Sequence, residues 1–241
     1  MVADWLPTTI SSLKASHKAL LRALVFLEEK EQGGLNRHKR GNPTETTDMA
    51  TTREGQFLSL AEIVENYRRR WLQKARQELD RFRDHSDIRS LKEAIRIAAE
   101  SRDEDGKRYD HQRKNRNFYL AIEALLKVEA EIERCSNFEE LLNLVEEVVS
   151  EIQWVDEMYA YDVALRIGVW LRPARWPEKV YLHRGTRKGA EAVLGQRLNN
   201  VRALEMDAFR KFPEFKKLEP WQLEDILCIY KEGFGTQQQL G

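Results

Sequence analysis

The sequence predicts an all-α protein, and three observations carry that reading. Apolar residues recur at three- and four-residue steps over most of the chain, the spacing of one helix face. Six Pro and twelve Gly among 241 residues are few for the turns of an all-β chain. The one short run that reads as a strand is 179–183.

Taken in order, residues 9–31 set Ile10, Leu13, Leu20, Leu21, Leu24 and Leu27 on one stripe, with Thr8, Thr9 and Ser11 near its start as caps. Gly33-Gly34 ends it, so 1–33 reads as an N-terminal amphipathic helix. Residues 34–56 have no apolar periodicity. Arg37-His38-Lys39-Arg40, Asn42-Pro43 and a Thr-rich stretch make them a mobile polar loop or linker. A helical domain then fills 57–241. Its first helix, 57–82, carries Leu58, Ile63, Tyr67, Trp71, Leu72, Leu79 and Phe82, with Arg68, Arg69, Arg70, Lys74, Arg76, Arg81 and Arg83 outward. A short helix capped by Ser86 or Asp87 runs to 99, and the charged segment 101–117 joins it to the next. Segments 118–134 and 138–152 read as consecutive amphipathic helices. Between them Asn137, followed by Glu140, has the spacing of a cap and its third-position acid. A helix over 159–171 is closed by Pro173 and Pro177, and 185–194 stops at Gly195. Helices over 198–209 and 221–231 complete the domain, the last opened by Glu219-Pro220.

Lys+Arg and Asp+Glu both total 40, so the net charge is zero. That excludes a uniformly basic polyanion binder and an acidic solvating tail. Cys135 and Cys228 lie far apart with no C-x-x-C pair, and His17, His38, His85, His111 and His183 are isolated. Neither a disulfide framework nor a metal-ligand pattern follows, and no metal or cofactor is expected. No apolar run approaches the roughly 20 residues of a membrane span, and no signal-peptide pattern is present, so a cytoplasmic location without membrane contact is expected. The phosphate-loop, dinucleotide, nucleophile-elbow and H-E-x-x-H signatures are absent.

Zero net charge conceals an asymmetry. Residues 129–151 hold eight Glu against Arg134, while 166–188 hold seven basic residues against Glu178. Trp170, Trp176, Tyr181 and His183 interleave with the basic stretch. Cations on phosphates beside aromatic faces on bases are the chemistry of single-strand recognition. Lys179, Tyr181, Arg184, Thr186, Arg187 and Lys188 are therefore the expected nucleic-acid contacts, with the helix start at Gly185 offering backbone N–H groups to a phosphate. The other reading is internal, the acidic helices pairing with the basic stretch. Asp162 sits among Tyr161, Val163, Ala164 and Leu165 with Arg166 at i+4, which suits an ion pair. Asp162 and His183 are the candidates for acid–base catalysis.

The run Tyr161-Asp162-Val163-Ala164-Leu165-Arg166-Ile167-Gly168, followed by Val180-Tyr181-Leu182-His183-Arg184-Gly185-Thr186-Arg187-Lys188-Gly189-Ala190, resembles bacterial proteins that share Y-D-x-A-x-R-I-G and V-Y-L-H-x-G-T-R-x-G-A. More remotely, residues 152–241, with their late Leu227-Cys228-Ile229-Tyr230, are similar to helix-hairpin-helix DNA glycosylases of the endonuclease III type. The resemblance implies an all-α scaffold and contact with DNA or RNA. Two departures go with it: Trp154-Val155-Asp156 stands where the family has a glycine hairpin, and Tyr181 falls near the family's catalytic aspartate. The expected function is nucleic-acid binding on a glycosylase-like scaffold without classical base excision. The alternative is a protein-interaction or structural subunit, docking through its acidic helices. A third reading is an enzyme that uses Asp162 with His183 or Tyr181.

Overall fold

A computed structural model describes residues 58–101 and 117–234, all within the compact unit Asp48–Gly241. The helix expected in 1–33, the loop 34–56 and all but the ends of the joiner 101–117 lie outside the described residues. What is described is mostly helical, as the periodicity requires.

Ser59 opens α1 (Leu60–Tyr67) with a capping box: Glu62 N–H donates to its Oγ at 3.3 Å, and Ser59 N–H donates back to the Glu62 carboxylate at 2.7 Å. A π-helical turn, Arg68–Leu72, follows, and α2 (Gln73–Arg83) continues the rod. The expected first helix is thus one rod with one wide turn inside it. The next cap is Ser90, not Ser86 or Asp87; it starts α3 (Leu91–Glu100), whose Leu91, Ala94, Ile95 and Ala98 stripe is buried.

The expected helix 118–134 is two: α4 (Phe118–Leu126) and α5 (Glu129–Arg134), broken at Lys127-Val128. Asn137 caps α6 (Phe138–Val149), its side-chain oxygen accepting from Glu140 N–H at 2.9 Å. Asp156 caps α7 (Glu157–Trp170) by accepting from Tyr159 N–H, also at 2.9 Å. Helix α7 buries residues around most of its circumference, because α2, α3 and α6 all pack against it.

Beyond α7 the strand β1 (Val180–Tyr181) pairs antiparallel with β2 (Ala203–Leu204), Val180 opposite Leu204. This corrects the helix expected over 198–209. Leu198, Val201 and Leu204 keep an i, i+3 spacing, but the chain there turns, forms β2 and ends in the 3₁₀ turn Met206–Phe209. Between the strands lies α8 (Arg184–Leu194), and α9 (Pro220–Ile229) closes the described fold with Pro220 in its first turn. Helices α8 and α9 pack together and onto a core of Ile63, Tyr67, Leu182, Phe209, Phe215, Leu223 and Tyr230. Their approach is close. A Cβ on Gly189 would stand 2.1 Å from the Leu227 carbonyl oxygen, so only glycine fits there.

Candidate functional site

The functional candidates gather where β1 runs into α8. Two inward-facing residues of this strand end, Tyr181 and His183, lie on the side of Tyr161 in α7. The ring centroids of Tyr161 and Tyr181 are 6.2 Å apart, and those of Tyr161 and His183 also 6.2 Å. Phe138 of α6 meets Tyr181 edge-on at 5.2 Å. Above this aromatic floor opens a cleft of about 770 Å³, walled by Glu146, Glu157, Arg187, Asn199, Asn200 and Arg202 among others. That volume lies within the roughly 300–1,000 Å³ of small-molecule sites. Asn200 holds a left-handed backbone, φ 63°, at the rim.

Polar groups of the wall divide into paired and unpaired. Arg202 reaches Glu146 at 2.6 Å and also contacts Asn143. Burial raises the Glu146 carboxyl above its usual range, and the Arg202 charge opposes that rise. Arg187 stands 3.7 Å from Glu157 and donates to the Val201 carbonyl at 3.4 Å, both long contacts. Its Nε is buried and has no hydrogen-bond partner. The Tyr161 hydroxyl is unpartnered too, in a residue only 4% exposed, and burial drives its pKa well up. An unmet buried donor costs about 1–3 kcal/mol, and both of these belong to residues that line the cleft.

His183 forms part of the floor and caps α8. Behind it lies a closed polar network. Its Nε2 is 2.5 Å from Glu224 Oε1 and 2.8 Å from Thr186 Oγ1, and the Thr186 hydroxyl donates to the same carboxylate oxygen at 2.5 Å. Gly185 N–H approaches Nδ1 at 3.3 Å. Burial acts to lower the His183 pKa, but hydrogen bonds to Cys228 and Glu224 and their charges outweigh it, lifting the ring to about 10. The Glu224 carboxylate beside Nε2 thus favours the protonated ring. Next along α9, Asp225 accepts from the Tyr67 hydroxyl at 2.9 Å. Desolvation, then the neighbouring Glu224 charge, pushes its carboxyl up to about 8.

The sequence-derived residues fall on both sides of this wall. Tyr181, His183 and Arg187 share the cleft, whereas Asp162 is not among its walls. Arg166 of the same helix donates to Glu78 at 2.9 Å and to the Asp162 carbonyl at 3.4 Å. Thr186 is fully buried in the network behind His183. Lys179 pairs with Glu139 at 2.8 Å and lies 3.6 Å from Glu205, while Lys188 pairs with Glu232 at 2.5 Å. Arg184 is exposed at the start of α8. The acidic helix α6 meets the basic stretch through Glu139 and Lys179, an instance of the internal pairing the charge asymmetry allowed, while Glu146 pairs with Arg202 outside that stretch.

Residues that the sequence reading passed over are Glu224, Asp225, Tyr161, Asn199, Asn200 and Arg202. The signal for Glu224 was its place on an apolar helix, beside Leu223, Ile226 and Leu227. A carboxylate there needs a partner. A comparison of the chain with known protein families, curated proteins and solved structures finds no match.

Proposed function

We propose that the chain binds nucleic acid and that the cleft over Tyr161 and Tyr181 receives one unstacked nucleotide of a single strand. The observation that carries this reading is a cleft of nucleotide size whose lining residues Tyr161 and Arg187 each hold an unmet buried donor, Oη–H and Nε–H, just beneath its surface. A nucleotide supplies acceptors on its base edge and phosphate to both, and a planar ring to the aromatic floor. Exposed Arg184 and the first turn of α8 adjoin the cleft, giving the flanking phosphates a cation and a positive helix end. The glycosylase resemblance supports the same partner, and Tyr181 in the aspartate's place makes the reading one of binding without base excision.

Fluorescence anisotropy with a labelled single-stranded oligonucleotide, run against salt, tests it. Replacing Arg184, Arg187 and Lys188 together with Ala should weaken binding and flatten the salt dependence, by about one unit of slope for each phosphate-binding cation removed. Unchanged binding by that folded triple variant overturns the reading.

A second reading, a subunit that docks through acidic helices, is supported by one observation. Glu131, Glu133 and Glu140 are exposed on α5 and α6, apart from the Glu139 and Glu146 that face Lys179 and Arg202. It predicts retention of a basic protein partner by a variant that no longer binds the oligonucleotide.

A further inference from the structure

We propose that His183, Glu224 and Cys228 form a binding site for a borderline divalent cation of the zinc type. The three offer an imidazole nitrogen, a carboxylate oxygen and a thiol sulfur, and these donor atoms all lie within 4.8 Å of one another. Nitrogen, oxygen and sulfur donors in one buried set suit zinc or cobalt, and not calcium or magnesium, which take oxygen shells. Three protein donors also leave the fourth tetrahedral position to water or to a ligand.

The donors are set in place by the fold. Glu224 and Cys228 are one turn apart on α9, so they project on the same side of that helix. His183 is fixed as the N-cap of α8, and the two helices are locked where Gly189 meets the Leu227 carbonyl. Gly185 clears the space for the sulfur, since a Cβ there would stand 2.9 Å from Cys228 Sγ. The Thr186 hydroxyl donates to the Glu224 carboxylate from the next shell, a support that metal-ligating carboxylates commonly have. Cys228 is only half-buried, which gives an ion a way in.

With bonds of about 2.0–2.3 Å, a tetrahedral ion holds its donors roughly 3.3–3.7 Å apart. The 2.5 Å contact between His183 and Glu224 must then widen by about 1 Å, the ion taking the place of the shared proton. Protons held by the imidazole and thiol pass to solvent as the ion binds.

The test is a Co(II) titration of the full chain after treatment with a chelator, with no nucleic acid present, so its outcome is independent of the cleft reading. One equivalent should give a thiolate-to-cobalt charge-transfer band and the strong visible bands of tetrahedral cobalt, both bleached by Zn(II). Cys135→Ser should retain these bands, Cys228→Ser should lose the charge-transfer band, and Glu224→Gln should weaken binding at least tenfold. If Cys228→Ser fails to fold, Cys135→Ser decides the matter, because Cys228 is then the one thiol left. Absence of a charge-transfer band in the native chain, its loss in folded Cys135→Ser, or its survival in Cys228→Ser overturns the proposal.

Discussion

His183 has two sides, and they are built on opposite terms. Behind the ring, His183 Nε2, Thr186 and Glu224 meet one another at 2.5–2.8 Å. In front of it, Tyr161 and Arg187 each leave a buried donor unmet within a cleft of about 770 Å³. The same helix start thus separates a region that holds the fold from one that is incomplete by itself. Net charge does not distinguish the two sides, since each contains both signs. What distinguishes them is whether the buried polar atoms find their partners within the chain.

Breaking the closed side should cost the most. Glu224→Ala leaves an imidazolium and a hydroxyl without their shared acceptor, and removing one member of a buried pair typically costs about 3–5 kcal/mol. Urea unfolding followed by circular dichroism measures it, and a loss under about 1 kcal/mol would show the network to be slack. The pH dependence is the next largest effect. A His183 ring raised from an ordinary 6.5 to about 10 stabilises the fold fully below pH 6.5, and that contribution is lost as pH rises towards 10. Asp225, raised from 3.8 to about 8, adds a loss of the same sign between those values. Stability should fall across pH 6.5–10 with a slope of up to about 1.4 kcal/mol per unit for the His183 proton, and His183→Gln should remove that component. A flat profile in the native chain would mean that the ring is not charged.

Thr186→Val keeps the shape and deletes one hydroxyl, so a loss of about 1–3 kcal/mol is expected by thermal melting. The smallest effect belongs to the open side. Tyr161→Phe removes an unmet hydroxyl and should leave stability within about 1 kcal/mol or improve it, while weakening oligonucleotide binding. A clear loss of stability would place that hydroxyl in the fold and not in the cleft.

Much of the fold was legible because its causes are local. The cap at Asn137, the start at Pro220 and the buried stripes of α3 and α6 each depend on residues within four of one another. The failure over 198–209 has a long-range cause. Leu198, Val201 and Leu204 suit a helix face as well as a turn, and what decides is pairing with Val180 and Tyr181, some twenty residues earlier in the chain. The break at Lys127-Val128 has no Gly or Pro to announce it. The site was half legible. His183, Tyr181 and Arg187 stood out as polar or aromatic residues in an unusual run, and they share one cleft. Glu224 and Cys228 did not, because their meaning depends on a histidine 41 residues before the glutamate.

The π-helical turn at Arg68–Leu72 carries a mechanical consequence for both sides. Each residue of an α-helix advances the side chains by about 100°, so the wider turn offsets the rotational phase of α2 from that of α1. The offset lets one rod serve two docks: Tyr67 faces Asp225 on α9, and Glu78 faces Arg166 on α7. A wide turn takes up about one residue more than an α-turn, so winding the same residues as plain α-helix would swing one half by up to about 100° against the other. Tyr67 and Glu78 could then no longer both reach their partners. The wide turn is the keyway that indexes α1 against α2, and through them α9 against α7.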